Sequence, residues 1–298
     1  MTEKEPARDG FINFLKPPGM TSHDAVSCVR RLFGLKKVGH AGTLDPGAAG
    51  VLPIAVGRAT RLLEYVGGAR KAYRAELRFG AETDSGDDLG EVVAESDAPT
   101  PDEETVARAV QSLTGEISQT PPIYSAVKIG GRRACDLARQ NAAVEIPSRR
   151  VTIYRLDVLA RNAKERTLLL DVECSKGTYI RSLCRDLGRA AGVPATMAFL
   201  VRRRVGAFCI EDAHTPEELE ALGEAAVEPP EAYVAHLARV ELPEERAQAF
   251  LHGLPTRMEN FSCSAGPLAV FSDARLLGIG RYDVPSSSLA PEKVYGRM

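Results

Sequence analysis

The chain has 298 residues, of which 44% are hydrophobic and 26% charged, as in an ordinary globular protein. No apolar run approaches the roughly 18 residues needed to cross a bilayer, the polar start does not resemble a leader peptide, and the six cysteines include no Cys-x-x-Cys pair. The net charge of −2 is a sum of blocks: residues 1–80 carry +6, 81–120 carry −10, 121–210 carry +10, 211–250 carry −9 and 251–298 carry +1. We therefore expect a cytoplasmic protein with reduced thiols, whose two basic blocks can share one face after folding.

Apolar periodicity and turn residues predict the elements of the first part of the chain. They are a strand at 10–15, a helix from Thr21 or Ser22 to about Gly34, a strand at 51–56, a helix at 59–65, a strand at 71–79 and an acidic hairpin connection at 82–90. Strict alternation in the third of these strands puts Tyr73 on its buried face. A capping box that begins at Thr100, with proline next, predicts a helix whose Val106, Val110 and Leu113 face inward.

The second part of the chain predicts fewer and shorter elements. A loop-rich basic segment at 121–150 precedes strands at 151–158 and 168–174 and a helix at 178–190. Residues 211–231 read as an acidic helix that ends in a linker, Glu228-Pro229-Pro230-Glu231. The pattern favours an α+β fold with a mixed, largely antiparallel central sheet flanked by helices. We expect two domains: a large one at 1–238, which includes the basic segment, and a small β-rich one at 239–298.

Standard catalytic signatures are mostly missing from the sequence. No P-loop, dinucleotide fingerprint, His-Glu-x-x-His or Gly-x-Ser-x-Gly motif occurs, and the five histidines are far apart. We therefore expect no cofactor and no metal. Ser125 and Lys128 match the Ser-x-x-Lys nucleophile motif of penicillin-binding enzymes, although its companion motifs Ser-Asp-Asn and Lys-Thr-Gly do not occur. An acyl-transfer enzyme is one alternative interpretation.

A glycine-rich loop at 39–50 contains Asp45. Glycine costs conformational entropy on folding, so four glycines are unexpected in a simple connection. They let the backbone approach a ligand closely and hold one carboxylate in place, although a plain Asp-Pro turn also explains the pattern. A desolvated carboxylate needs a counter-charge to stay ionised. Arg181, in the first turn of the helix predicted at 178–190, is a candidate; the alternative is a solvated helix arginine beside Arg185.

Five motifs, found in order over residues 10–210, resemble the TruB family of tRNA pseudouridine synthases. They are Lys16–Ser22 (KPPGMTS), Gly39–Pro46 (GHAGTLDP) with Ala49–Ile54 (AGVLPI), Lys71–Tyr73 (KAY), Tyr124–Lys128 (YSAVK) and Cys174–Arg181 (CSKGTYIR). Ala41 and Gly47 stand where the family usually has threonine and leucine, which loosens the loop without removing a functional group. Residues beyond about 240 resemble, more weakly, the small PUA-type RNA-binding domain of this family.

The resemblance implies the pseudouridine synthase fold and the isomerisation of uridine, most specifically uridine 55 in the T loop of tRNA. It implies that Asp45 is the nucleophile, that Tyr73 stacks on the flipped base and assists removal of the C5 proton, and that Arg181 pairs with Asp45. The other expected substrate-binding residues are His40 near the everted nucleotide, Tyr179 and Leu200 in the uridine pocket, and Lys16, which supports the loop or a phosphate.

The basic block at 121–210 is expected to hold the RNA backbone. Unstacking a uridine costs a few kcal/mol, and phosphate contacts offset that cost. The residues expected to make these contacts are Arg132, Arg133, Arg149, Arg150, Arg202, Arg203 and Arg204. The expected partner is therefore the tRNA T stem-loop, bound by a monomer away from any membrane. A role in tRNA folding accompanies this expectation, and a non-catalytic RNA-binding or folding factor is the second alternative interpretation.

Overall fold

A computed structural model describes residues 9–66, 70–125, 127–134, 146–258, 261 and 266–296 of the protein. The chain forms two compact units. The first unit comprises Met1–Asp45, Val51–Gly67 and Gly206–Met298, and the second comprises Pro46–Gly50 and Gly68–Val205. Within the described ranges, no helix is both long and apolar enough to cross a membrane.

Strands are more numerous than helices in the described residues. The helices are α1 Ser22–Phe33, α2 Leu63–Val66, α3 Glu103–Ser112, α4 Ile180–Ala190, α5 Pro216–Leu222 and α6 Glu244–Leu251. The strands are β1 Gly10–Lys16, β2 Val38–His40, β3 Ala49–Val56, β4 Lys71–Phe79, β5 Ala81–Thr83, β6 Val92–Glu95, β7 Gly115–Gln119, β8 Lys128–Ile129, β9 Arg132–Arg133, β10 Arg149–Asn162, β11 Thr167–Cys174, β12 Ala195–Val205, β13 Phe208–Cys209, β14 Ala238–Glu241, β15 Thr256–Arg257, β16 Pro267–Ser272, β17 Arg275–Asp283 and β18 Ser288–Val294.

The second unit is built on an antiparallel run of strands in the order β12-β4-β11-β10-β7. At the β12 edge, Ala49 and Gly50 pair in parallel with Val201 and Arg202, which makes the sheet mixed. Helix α4 packs against β12 and β4. The predicted mixed, largely antiparallel sheet flanked by helices is therefore confirmed.

The alternation in β4 was the clearest strand signal in the sequence, and the structure confirms its predicted bounds at Lys71–Phe79. Tyr73, Ala75 and Leu77 are buried, whereas Arg74 and Arg78 are accessible. Because successive side chains of a strand point to opposite faces, Tyr73 and Arg74 lie on different faces of the sheet. This division into two faces determines where the functional side chains of the second unit lie.

Helix α1 in the first unit has the two ends that its sequence predicts. Thr21 is the N-cap: its hydroxyl accepts a hydrogen bond from Asp24 N at 3.0 Å, and its N–H donates to the Asp24 carboxylate at 3.0 Å. Gly34 ends the helix in the left-handed conformation with φ of 65°. Strands β1 and β2 of this unit both neighbour β3.

The C-terminal part of the first unit is a five-stranded sheet in the order β14-β16-β17-β18-β15, with α6 packed against it. Its buried apolar residues are Val240, Leu242, Ala247, Phe250, Leu268, Val270, Leu277 and Leu289. A small C-terminal β-rich region was predicted, and this sheet is present. The boundary at 238/239 coincides with the start of β14, although that boundary and the likeness to a PUA domain both stay predictions.

Three predicted elements differ in the structure, beginning with helix α3. Its N-cap is Asp102, whose carboxylate accepts a hydrogen bond from Thr105 N at 2.8 Å, so the cap predicted at Thr100 is wrong. Asp102 takes the N-cap position because its carboxylate accepts a hydrogen bond from a backbone N–H of the first turn that has no partner within the helix. Val106 and Ala109 face the core in place of the predicted Val106, Val110 and Leu113 set.

The acidic helix and linker predicted at 211–231 are also wrong. Only α5 is α-helical there, and short 3-10 turns flank it. Glu228 exchanges two backbone hydrogen bonds of 2.8 Å with Phe11 of β1, and Tyr233 stacks on Phe208 with ring centroids 3.7 Å apart. Consecutive prolines prevent a helix and keep the backbone extended, so this segment pairs with a strand instead of linking two bodies.

Strand β12 was not predicted, although it is adjacent to β4 in the second unit. Three consecutive arginines, Arg202–Arg204, interrupt its apolar alternation, and a register shift lies between Arg202 and Arg204. The helix predicted at 59–65 is divided as well: Gly57–Leu62 form a 3-10 helix that continues into α2.

Candidate active site

Two hydrogen bonds between the Ser22 hydroxyl and the backbone of Leu44, together called the Ser22–Leu44 clamp, hold the residue that precedes Asp45. The hydroxyl of Ser22 donates to Leu44 O at 3.0 Å and accepts from Leu44 N at 2.9 Å. Both residues are 3% exposed, and Ser22 is the first residue of the well-capped helix α1. The Ser22 of one family-like motif therefore fixes the loop of another, next to the half-buried Asp45.

Lys16 lies at the end of β1 and is fully buried. Its ammonium donates to the carbonyl oxygens of Pro17 at 2.8 Å and Met20 at 2.7 Å, which closes the turn that leads into α1. These contacts show that Lys16 supports the turn before α1, and both of its expected roles stay predictions.

His40 is the last residue of β2 and pairs with Ile54 of β3. The next residue, Ala41, donates its N–H to Pro53 O at 2.9 Å. The loop that carries Asp45 is thus attached to β3 at Ala41 and to α1 at Leu44, only three positions apart. Such short spacing limits the freedom of the carboxylate that follows.

In the second unit, Tyr73 and Leu200 lie on the same buried face of the sheet, 6% and 5% exposed. Leu200 is opposite Ala75, and Arg202 is opposite Tyr73 across the β4–β12 pair. The two residues expected at the target base therefore belong to neighbouring strands and share a face.

Arg181, the second residue of α4, is 5% exposed. Its Nη1 donates to Ser85 O at 2.8 Å and its Nη2 to Tyr124 O at 2.9 Å. The carboxylate of Asp87 lies 3.7 Å from Nη1. Main-chain oxygens from two loops thus hold the guanidinium in one orientation, which excludes the interpretation of Arg181 as a solvated helix arginine. Its expected pairing with Asp45 stays a prediction.

Asp87 is a residue that sequence reasoning missed. The predicted hairpin is present as β5 and β6, but its connection is not simply solvated: Ser85 is 8% exposed, and Met197 N donates to Gly86 O at 3.1 Å. A Cβ atom on Gly86 would lie 3.3 Å from the Cβ of Arg181. The glycine in the Ser85-Gly86-Asp87 sequence was the available signal for this contact, because a residue without a side chain permits the loop to approach Arg181 closely.

Tyr179 occupies the N-cap position of α4 without a capping hydrogen bond from its side chain, and its backbone is held by Gln119, a second residue that sequence reasoning missed. The fully buried amide of Gln119 accepts from Tyr179 N at 2.8 Å and donates to Tyr179 O at 3.1 Å. Arg149 covers the ring of Tyr179, with its guanidinium carbon 4.8 Å from the ring centroid. Tyr179 and Arg149, which were expected to bind the base and the backbone respectively, are therefore in contact.

Two of the arginines expected at the RNA backbone are placed differently. Arg202 is only 1% exposed, and its expected contact with a phosphate stays a prediction. Arg203 pairs with Asp171 at 3.1 Å, and Asp171 also binds Arg74 on the face opposite Tyr73. Burial would raise the pKa of Asp171, but hydrogen bonds from Arg74 and Arg203 hold that pKa below its usual value. Arg203 therefore points away from the face of Tyr73.

The other described arginines of this set differ in exposure, and Arg204 is about as accessible as Arg203. Arg204 pairs with Glu173 at 2.9 Å, and the exposed Arg150 pairs with Glu116 at 3.1 Å. Arg132 is exposed in the hairpin of β8 and β9. The side chain of Arg133 lies outside the described residues, as do residue 126 and residues 135–145 of the basic segment.

The serine of the acyl-transfer alternative, Ser125, is 5% exposed, and the side chain of Lys128 lies outside the described residues.

Lys71, in the same motif as Tyr73, has its pKa lowered to about 8, first by burial and then by the nearby charge of Arg202. Within the part of the chain that the structure describes, no group of three or more metal-ligating side chains occurs.

Sequence comparison identifies the class of protein to which this arrangement belongs. Residues 30–180 match the TruB family pseudouridylate synthase N-terminal domain, and residues 181–247 match the tRNA pseudouridylate synthase B C-terminal domain. The chain is 52% identical to tRNA pseudouridine synthase B of Symbiobacterium thermophilum over 83% of its length and 82% of that protein. It is 43% identical to the protein of that name from Heliobacterium modesticaldum, over 92% and 90%. The chain belongs to the TruB family of pseudouridylate synthases.

Solved structures agree with this assignment. A Cbf5-Nop10-Gar1 complex contains a chain that superposes with a TM-score of 0.76 at 29% identity, covering 99% of this chain and 88% of that one. An H/ACA RNP bound to a substrate RNA containing 2′-deoxyuridine gives a TM-score of 0.76 at 26% identity, covering 99% and 89%. The predicted pseudouridine synthase fold is therefore confirmed.

Proposed function

We propose that this protein isomerises uridine to pseudouridine in tRNA and that its target is uridine 55 of the T loop. The observation that carries the proposal is the identity of 43–52% to relatives named tRNA pseudouridine synthase B, in a chain that retains Asp45, Tyr73 and Arg181. Isomerisation conserves every atom of the substrate. The bond from C1′ to N1 breaks, the base rotates, a bond from C1′ to C5 forms, and the proton lost from C5 is balanced by one gained at N1.

Asp45 supplies the nucleophile in this proposal. A carboxylate that forms a transient covalent bond divides one difficult exchange into easier steps and needs neither metal nor cofactor. The clamp between Ser22 and Leu44 supports this role, because a nucleophile works best when its position is fixed before the substrate arrives.

Tyr73 and Leu200 receive the everted base. Their low exposure supports a dry slot in which the uracil stacks on the tyrosine ring, and the hydroxyl of Tyr73 assists removal of the C5 proton. Extracting a base from folded RNA costs a few kcal/mol, and stacking on an aromatic ring recovers about 1–3 kcal/mol of that cost.

Arg181 keeps Asp45 ionised after the base has displaced water. A guanidinium does not lose its proton at physiological pH and can bind a carboxylate through two donors. Its hydrogen bonds to Ser85 O and Tyr124 O, together with Asp87, support a fixed cation that does not reorganise during the reaction.

The decisive experiment measures tritium release from tRNA labelled at C5 of uridine, with wild type, Asp45→Asn and Ser125→Ala. We expect wild type and Ser125→Ala to release tritium and Asp45→Asn to be inactive, and we expect tRNA with cytidine at position 55 to release none from that site. Full activity of Asp45→Asn would overturn the proposal.

The same assay separates the two alternatives. Binding of tRNA without tritium release by any variant, wild type included, supports a non-catalytic folding factor. Loss of activity confined to Ser125→Ala supports the acyl-transfer interpretation.

A further inference from the structure

Arg149 begins β10 and lies directly opposite Gln119 of β7. Its guanidinium covers the Tyr179 ring, and a Cβ atom built on Gly177 would be 3.7 Å from Nη1. Gly177 has φ of +85°, which favours glycine, so the chain turns beneath the arginine without a side chain in the way. The guanidinium thus lies close both to an aromatic ring and to a glycine turn.

Two donors of this guanidinium have no acceptor among the residues that the structure describes. They are Nε and Nη2, and both atoms are buried. A buried donor without an acceptor is costly, so an orphan of this kind needs a specific explanation. Nε and Nη2 form one edge of the planar group, and that edge matches two oxygens of a single phosphate or carboxylate.

The neighbouring Arg150 shows that this arrangement is not general to the segment. Its side chain is 83% exposed and pairs with Glu116 at 3.1 Å, as expected of a surface arginine. Arg149 instead covers the ring of Tyr179, whose backbone N–H donates to Gln119 and whose carbonyl oxygen accepts from Gln119. The guanidinium is therefore placed against a residue with a fixed backbone, and the atoms that cover Nε and Nη2 must move before a ligand reaches this edge.

We propose that the Nε–Nη2 edge of Arg149 is a subsite for one phosphodiester group of the substrate RNA, and that Gln119 is its positioning residue. The proposal rests on the proposed function, because an RNA substrate brings a phosphate into the region of Tyr179. A phosphodiester is the expected occupant because RNA is a polyanion, which the net charge of +10 in this block attracts. The subsite sets the register of the backbone on either side of the everted nucleotide.

A methylphosphonate scan tests the subsite directly. Each phosphate of a T stem-loop RNA is replaced in turn by an uncharged methylphosphonate, and binding to wild type, Arg149→Ala and Arg150→Ala is measured. We expect one position at which neutralisation weakens wild-type binding about tenfold but does not further weaken Arg149→Ala. Arg150→Ala should retain the full effect at that position. Arg149→Lys should not restore tight binding, since lysine lacks the two-donor edge.

Three results would overturn the proposal: wild-type affinity in Arg149→Ala, a loss in Arg149→Ala that is independent of which phosphate is neutralised, or full rescue by lysine. Tritium release by wild type is measured in parallel. Because the scan reports binding alone, wild type that shows the coupling without releasing tritium contradicts the proposed function and not the subsite. Failure of wild type to bind the RNA contradicts both.

Gln119 is tested by Gln119→Leu in the same scan. Loss of the coupling at the same single phosphate, with thermal stability close to that of wild type, is the expected result. Reduced stability with the coupling intact would show that Gln119 is only structural and would overturn its positioning role.

Discussion

Asp87 lies 3.7 Å from Arg181, and the two residues together form a charged pair that periodicity and capping patterns do not reveal. The motif predicted Arg181 as a functional residue, but its hydrogen-bond partner Ser85 is 96 positions away in the chain. Gln119 was missed for the same reason, since it binds Tyr179 across 60 positions. Periodicity and capping rules act over a few residues, so they identify neither partner.

Asp87→Asn tests whether the charge of Asp87 orients Arg181. We expect kcat for tritium release to fall about 10- to 100-fold with KM changed little, because the substitution keeps the shape and removes the charge beside the guanidinium. The matched control is Asp88→Asn, whose carboxylate pairs with the accessible Arg78 at 2.9 Å. Equal effects of the two substitutions would contradict a specific role for Asp87.

Lys71 gives a prediction for the dependence of stability on pH. Its pKa is about 8 in the folded protein and 10.5 for an ordinary lysine, so the unfolded chain binds more protons between these values. The free energy of unfolding therefore rises with pH in this window, by on the order of 2–3 kcal/mol. Urea unfolding at pH 7.5 and 10 should show this rise in wild type relative to Lys71→Met. The exposed Lys176→Met should behave like wild type, and a Lys71→Met curve parallel to wild type would contradict the prediction.

At the scale of elements, the sequence predicted those whose signals are local. The capping box and terminal glycine of α1 and the alternation of β4 gave correct bounds to within a residue or two. Strand β12 was missed because its arginines are buried or paired through contacts with other strands, which the sequence alone does not show. The helix predicted at 211–231 is α-helical only over Pro216–Leu222, and the prolines at 229 and 230 prevent it from continuing to its predicted end.

Gly50 is the residue that lets β3 approach β12. A Cβ atom there would lie 2.2 Å from Arg202 O, and φ is +111°. We expect Gly50→Ala to lower the free energy of unfolding by about 3 kcal/mol or more, since backbone must move to relieve the clash. Gly192→Ala is the matched control: its φ is +78° and nothing lies within 4 Å of the added Cβ, so it should cost about 1 kcal/mol. Urea denaturation compares the two, and equal losses would contradict an effect of close strand approach.

At the scale of the whole molecule, the net charge of −2 conceals where a polyanion can bind. The block of +10 is itself divided in the second unit: Arg203 lies with Arg74 at Asp171, on the face opposite Tyr73. Arg150 of β10 lies on that same face, whereas Arg149 shares the face of Tyr73 and Arg132 is exposed in a hairpin. Charge counted along the chain therefore overestimates the number of arginines available to one RNA backbone.

This division predicts the salt dependence of RNA binding. The logarithm of the binding constant should fall linearly with the logarithm of salt concentration, with a slope that reflects the number of phosphates contacted. We expect Arg132→Ala and Arg149→Ala each to reduce the slope by about one. Arg203→Ala should leave it unchanged, because its guanidinium pairs with Asp171 on the other face. Titrations of a T stem-loop RNA from low to moderate salt measure these slopes. A reduced slope for Arg203→Ala, with Arg132→Ala and Arg149→Ala unaffected, would place the RNA backbone on the Asp171 face and contradict binding on the face of Tyr73.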